Sequence, residues 1–248
     1  MRLLVGLLAL AYAGLMQKQE DAVVTDGSST PTIQSWVKRF IILRFIRRKL
    51  QHASNDTEFS LNSTTLFIHP EYDDDSDGDD SNMDICLIRF DESLVTDRTG
   101  TAPVCLSTAY PDHGKACWVA GWGDTKEDGY GSDLLQSVGV NILGQEYCLK
   151  NTKYNSLLPD DICAGLPDLD GNGLTDAGTD SCQGDSGGPL VCDVDGAATL
   201  VGVVSRGEGC AREGYPGIYT AIHTDNWIAQ TIAEADFNST IGYPVNEL

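Results

Sequence analysis

The chain has 248 residues, 41% of them hydrophobic and 8% aromatic, enough to bury a sizeable core and too apolar for a disordered polymer. Its formal net charge of −21 is unevenly spread: residues 1–50 hold eight of the 16 Lys/Arg and three of the 37 Asp/Glu, leaving eight against 34 beyond them. So acidic a body excludes a nucleic-acid binder, because phosphate contacts require a basic face.

The chain opens with Met1-Arg2, an apolar run over Leu3–Leu10 and then Ala11-Tyr12-Ala13, which predicts a signal peptide over residues 1–13. A membrane anchor needs roughly 20 apolar residues, whereas Gln17, Lys18, Glu20 and Asp21 interrupt this run, and no later stretch is long enough to span a bilayer. The expected location is therefore extracellular. Eight cysteines, an even number behind an export signal, predict disulfides. Three sequons, at Asn55, Asn62 and Asn238, fit a glycosylated surface.

Residues 14–35 are rich in Ser, Thr and Gly and read as a linker or remnant propeptide. The next segment, Trp36 to Leu50 (WVKRFIILRFIRRKL), sets six basic residues among large apolar ones. A strand pair with Lys and Arg pointing outward is favoured over a membrane-active amphipathic helix, since β-branched and aromatic residues dominate its apolar positions. From Phe59 onward short apolar runs (TTLFIH, DICLIRF, ACWVAGW, LLQSVGVNIL, PLVC, ATLVGVVS, GIYTAI) alternate with Gly, Asp, Pro and Asn, which predicts an all-β barrel or sandwich. Thr224–Ala235 is the one helical segment expected, with Thr224 or Asp225 as N-cap and Trp227, Ile228 and Ile232 on one face.

The segment that carries chemistry is Asp180–Cys192, DSCQGDSGGPLVC. A serine that attacks a carbonyl needs an exposed hydroxyl on a rigid turn, beside backbone N–H groups that can approach the developing oxyanion. Gly184-Asp185-Ser186-Gly187-Gly188 provides that pattern. The whole string resembles the nucleophile loop of trypsin-like serine proteases. Carried over residue by residue, the resemblance makes Ser186 the nucleophile and the N–H groups of Gly184 and Ser186 the oxyanion hole. It makes Asp185 the carboxylate that pairs with an activation-generated N-terminus, and Asp180 the base of a specificity pocket selecting Arg or Lys.

Further landmarks extend the resemblance over roughly residues 60–237. Asn82–Ile88 resembles the strand start that carries the triad acid, here Asp84, preceded by His69-Pro70-Glu71-Tyr72. Cys117–Gly123, Cys163-Ala164-Gly165, Tyr215–Thr220 and the helix at Trp227 fall in the family's order. The resemblance implies two packed antiparallel β-barrels with a C-terminal helix, the first barrel (36–108) incomplete and the second spanning 109–248. It implies a peptide-binding groove using Ser205, Gly207 and Gly217, and the disulfides Cys117–Cys192, Cys148–Cys163 and Cys182–Cys210. Cys86 and Cys105 are left over. Expected partners are protein or peptide substrates with Arg or Lys, and protease inhibitors.

The chain departs from the family in its base. A serine hydroxyl is a weak nucleophile until histidine takes its proton, yet no TAAHC-like string precedes Asp84, and the cysteine pair around that loop and an IVGG-like activation sequence are also missing. His52, His69, His113 and His223 all read as structural or surface residues. Arg206 stands in Ser205-Arg206-Gly207, where the family has Trp, and as a cation it would favour acidic substrate residues further from the scissile bond. Two acidic loops, Asp73/Asp75/Asp77 and Asp168/Asp170/Asn172/Asp176, match the start of an EF-hand loop but lack its terminal Glu. They read as solvated insertions, so no cofactor is required and calcium stays a secondary reading. Three functions follow in order: a secreted endopeptidase cleaving after Arg or Lys, with its histidine supplied by sequence missing here, an inactive secreted binding module that keeps the groove, and a calcium-dependent adhesive or regulatory protein using the acidic loops.

Overall fold

A computed structural model describes residues 40–43, 63–72, 83–90, 104–223 and 226–241. Its elements in chain order are β1 (Phe40–Leu43), β2 (Ser63–Ile68), β3 (Cys86–Phe90), β4 (Cys105–Leu106), β5 (Ala116–Gly121), β6 (Gln136–Ile142), α1 (Gln145–Asn151), β7 (Asp161–Gly165), β8 (Pro189–Val194), β9 (Ala197–Arg206), β10 (Gly217–Ala221) and α2 (Trp227–Ile241).

Six of these strands close a barrel. They run β10-β7-β6-β5-β8-β9, each antiparallel to the next, and β9 pairs back onto β10. β4 joins β9 in parallel through Cys105 and Leu106. Period-2 patterning explains β6: Val138, Val140 and Ile142 turn toward the barrel core while Ser137 and Gly139 are exposed. β10 is buried on both faces, with Tyr219 and Ala221 inside the barrel and Ile218 packed with Leu143, Cys148 and Cys163 under α1.

The N-terminal half contributes, among the described residues, a three-stranded antiparallel sheet in the order β1-β3-β2. Its central strand is apolar because it is covered, with Leu87 and Ile88 essentially without solvent contact. Ile85 and Leu87 meet Ile228, Ile232 and Ala235 of α2, and the same cluster takes Val191, Leu200 and Val203 from the barrel. The C-terminal helix thus joins sheet to barrel. Ile228 and Ile232 each contribute on the order of 1.5–3 kcal/mol by leaving water.

Three disulfides cross-link the barrel half: Cys117–Cys192 across neighbouring strands, Cys148–Cys163 from α1 to β7, and Cys182–Cys210 between the loops before β8 and β10. The all-β expectation with a C-terminal helix holds, and two helical details differ. α1 was not expected; its seven residues acquire a partner through Cys148, which is fully buried and bonded to β7, so packing and a cross-link override a short, weak local signal. α2 runs to Ile241, beyond the expected end at Ala235, although its last turns contain Asn238, Ser239 and Thr240. The Trp36–Leu50 segment contains β1, and its other residues lie outside the described ones, as do residues 1–35, Asn55, Asn62, His52 and the Asp73–Asp77 loop.

Candidate active site

Ser186 sits in a pair of tight turns between the Cys182–Cys210 disulfide and the start of β8. The Asp185 amide donates to Cys182 O at 2.9 Å and the Gly188 amide to Asp185 O at 2.8 Å, while Gly187 donates to Val204 O and Val204 to Gly188 O, stitching the turn to β9. Gly184 has φ +98° and Gly187 φ +80°, a region in which a side chain is strained. Among the described residues, neither the Gly184 nor the Ser186 N–H donates to a protein acceptor, and the Ser186 hydroxyl makes no hydrogen bond. The turn leaves two backbone donors beside a half-buried hydroxyl.

The Asp185 carboxylate is held by backbone amides of Gly123 and Cys182. Its Oδ1 accepts the Gly123 amide at 2.8 Å and its Oδ2 the Cys182 amide at 3.0 Å. A Cβ on Gly121 would lie 1.9 Å from Asp185 Oδ1, and one on Gly123 2.5 Å from the same oxygen, so the carboxylate fills space that only glycine leaves. Burial pushes its pKa above the usual carboxylate value, against the two amide donors.

Asp180 lies in the loop six residues before Ser186. Oδ1 accepts the Ser181 amide at 2.8 Å and Oδ2 the Ala211 amide at 3.1 Å, and burial pushes its pKa up to about 6. Gly217 provides the clearance, since a Cβ there would stand 2.5 Å from Asp180 Oδ1 and 3.0 Å from the Tyr219 ring. Across the strand Gly207 is open, with its nearest neighbour 3.9 Å from a Cβ. Arg212 cross-links this rim, pairing with Glu127 and, at 3.2 Å, with Glu208.

Asp84 is buried just before β3 and accepts the Ser205 hydroxyl on Oδ2 at 2.7 Å. Ser205 reaches it because β9 bulges there: Ile218 faces Arg206 and Tyr219 faces Val204, leaving Ser205 as the extra residue. A bulge re-aims a side chain that regular alternation would send elsewhere.

The described histidines are engaged in packing. His69, expected on a surface turn, is buried; its Nδ1 accepts the Glu71 amide at 3.1 Å and its ring meets Trp227 edge-on at 4.8 Å. The Nδ1 of His113 lies 2.7 Å from Leu143 O, which requires that nitrogen to carry the proton. The Nδ1 of His223 is buried without a hydrogen-bond partner, and burial lowers its pKa.

Two residues that sequence reasoning passed over matter here. Asp161, almost fully buried, takes both terminal nitrogens of Arg206, NH1 to Oδ1 at 2.8 Å and NH2 to Oδ2 at 2.5 Å. The cation expected to face substrate is therefore already met by a carboxylate inside the protein. Asp160 accepts the Met83 amide at 2.9 Å. The Asp-Asp pair just before a disulfide-bonded cysteine was the available signal. Arg206 and Gly207 also line a cavity of ≈ 380 Å³ with Lys153, Tyr154, Leu157 and Tyr215. Beside α1, where Tyr147 Oη accepts the Asp168 amide at 3.0 Å, Asp168, Asp170 and Asp176 bring carboxylate oxygens within 4.8 Å of one another, while both oxygens of Asp168 accept loop amides. Among the described residues no helix is long and apolar enough to cross a membrane.

The trypsin family model matches residues 41–228. The chain is 36% identical over 183 residues to Trypsin II-P29 of Gallus gallus, covering 73% of this chain and 66% of that protein. It is 35% identical over 189 residues to Trypsin-1 of Astacus astacus (75% and 74%), and 40% identical over 149 residues to Trypsin eta of Drosophila melanogaster (59% and 52%). The chain thus spans 66%, 74% and 52% of the lengths of these relatives. The six-stranded barrel, the Ser186 turn and these similarities agree: the chain belongs to the trypsin family of chymotrypsin-fold serine proteases.

Proposed function

We propose that this chain is a secreted endopeptidase that cleaves after Arg or Lys by acyl transfer through Ser186. The observation that carries the reading is the pair of backbone N–H groups, of Gly184 and Ser186, that find no acceptor among the described residues, beside a hydroxyl with no hydrogen bond to them. The Ser186 oxygen attacks the scissile carbonyl carbon, whose own oxygen becomes an anion that accepts hydrogen bonds from the two amides. The hydroxyl proton ends on the departing amine, and water hydrolyses the resulting ester, returning a proton to the Ser186 oxygen. Asp180, reached past Gly217 and the open position Gly207, selects the cationic side chain, and Ser205–Gly207 pairs with the peptide backbone. Asp84 is the triad acid. Asp185 holds the turn through Gly123 and Cys182. Protein and peptide substrates, and inhibitors that mimic them, are the partners this groove fits.

A second reading is favoured by the engagement of His69, His113 and His223 in packing: the chain binds peptides in this groove and hardly turns them over. In the Ser-His-Asp template drawn from this same family, removing a triad member leaves roughly 10³–10⁴-fold acceleration over water. Slow turnover of that order is expected here. The experiment exposes the full chain to a serine-directed fluorophosphonate and to Arg and Phe peptide esters. The endopeptidase reading expects labelling lost in Ser186→Ala and Arg preferred over Phe. Rapid turnover rejects the second reading, and preference for Phe rejects the role of Asp180.

A further inference from the structure

The adjacent carboxylates Asp160 and Asp161 sit at the head of β7, and both are buried. They reach in two directions. Asp160 Oδ2 accepts the amide of Met83, the residue before Asp84, at 2.9 Å. Asp161 holds the guanidinium of Arg206, the residue after Ser205, in a two-point grip. Ser205 and Asp84 are themselves joined by the 2.7 Å hydroxyl–carboxylate bond. These contacts close a ring that runs Asp160, Met83, Asp84, Ser205, Arg206, Asp161 and back along one peptide bond.

Each part of the ring has a local cost. Met83 has φ +47°, an unfavourable conformation for a side chain as long as Met, and its carbonyl accepts the Ile85 amide at 2.7 Å in a tight turn. Such a backbone persists where its surroundings over-determine it, and the Asp160 carboxylate supplies a fixed acceptor for the Met83 N–H. Ser205 occupies the bulge in β9, where strand pairing alone does not set its direction. Asp161 also accepts the Leu158 amide at 2.7 Å, so its carboxylate is itself fixed in place before it grips Arg206. A carboxylate that takes both guanidinium nitrogens sets orientation as well as distance.

We infer that Asp160 and Asp161 are positioning residues acting as one clamp. Asp160 aims the Asp84 segment, and Asp161, through Arg206, holds the Ser205–Gly207 strand at the setting in which it accepts a peptide. This inference rests on the reading of Ser205–Gly207 and Asp180 as the peptide groove. Arg206 serves the strand from within and is not a reader of acidic substrate side chains.

The test compares the full chain with Asp160→Ala, Asp160→Asn and Asp161→Asn. Amide exchange at Met83, followed by NMR, reads the first arm of the clamp independently of any ligand. Asp160→Ala is expected to speed it at least about tenfold, and Asp160→Asn, whose amide oxygen still accepts, to restore most of the protection, with Val119 and Val140 in the barrel unchanged. Unchanged Met83 exchange in Asp160→Ala overturns that arm; if this variant does not fold, Asp160→Asn exchanging at the parental rate stands as the deciding result, and accelerated exchange there overturns it. The second arm is read by two probes, acetyl-Ala-Ala-Arg amide, which needs the strand, and benzamidine, which reaches only Asp180. Asp161→Asn is expected to weaken the tripeptide about tenfold and benzamidine less than twofold. Equal loss of both, or loss of neither, overturns it. If neither probe binds the unaltered chain, the groove reading fails and the second arm falls with it, while Met83 exchange still decides the first.

Discussion

The Ser205 hydroxyl donates to the Asp84 carboxylate at 2.7 Å across 121 positions of sequence, tying the barrel to the N-terminal sheet at a buried point. Removing a donor from a buried carboxylate costs more than an average hydrogen bond contributes, on the order of 1–3 kcal/mol. Ser205→Ala is expected to lower stability by that amount in urea unfolding, with the slope unchanged. A loss under about 0.3 kcal/mol would show that the bond carries no net stability.

Gly217→Ala places a methyl group 2.5 Å from Asp180 Oδ1 and against the Tyr219 ring. Overpacking at a buried strand costs about 1–3 kcal/mol, and here the added atom also occupies the approach to the carboxylate. Benzamidine affinity is expected to drop more than tenfold by calorimetry. Retained affinity would place the cation site elsewhere.

The disulfide Cys182–Cys210 joins the loop that carries Ser186 to the wall that carries Ala211, whose amide bonds Asp180. Cross-links of this span contribute typically 2–4 kcal/mol. The double variant Cys182→Ala/Cys210→Ala should melt earlier and lose benzamidine binding before it loses the far-ultraviolet signal of the barrel. Loss of both signals at one temperature would show that the two loops have no independent freedom.

Much of this architecture was legible because its signals are local. Alternation in QSVGVNI, the Gly-rich turn around Ser186 and the run Trp227-Ile228-Ile232 each state a face or a bend on their own. What escaped depends on partners distant in sequence. Asp161 carries no signal of its own until β9 brings Arg206 to it, and Arg206 reads as a cation facing substrate for the same reason. Ser205 was read only as part of the peptide groove, and its bond to Asp84 was not legible, since a bulge exists only relative to the strand it faces. His69 looked exposed beside Pro70, and is buried because Trp227, 158 residues further on, folds over it.

Asp180 should make both stability and cation binding depend on pH near 6. Burial raises its pKa from 3.8 to about 6, against hydrogen bonds from Ser181 and Ala211 that favour the anion. A carboxyl whose folded pKa lies above its unfolded one binds its proton more tightly in the fold. Its charge therefore opposes folding above pH 6, by at most about 3 kcal/mol. That penalty fades as the pH falls through 6 and is gone near 3.8, so this group stabilises the fold relative to pH 7 on mild acidification. Burial raises the pKa of Asp160 and Asp185 as well, which acts with the same sign. Ligand binding runs the other way, because a guanidinium or amidinium needs the anion that mild acid removes. Benzamidine affinity is expected to be flat above about pH 6.5 and to fall toward tenfold per unit below the midpoint, while the melting temperature in its absence rises over part of the same interval. Calorimetry and thermal melts between pH 4.5 and 8 measure both. Affinity that stays constant down to pH 5 would refute the assignment of Asp180 as the cation site, and Asp180→Ser should abolish the binding and reduce the rise in melting temperature together, leaving the part due to Asp160 and Asp185.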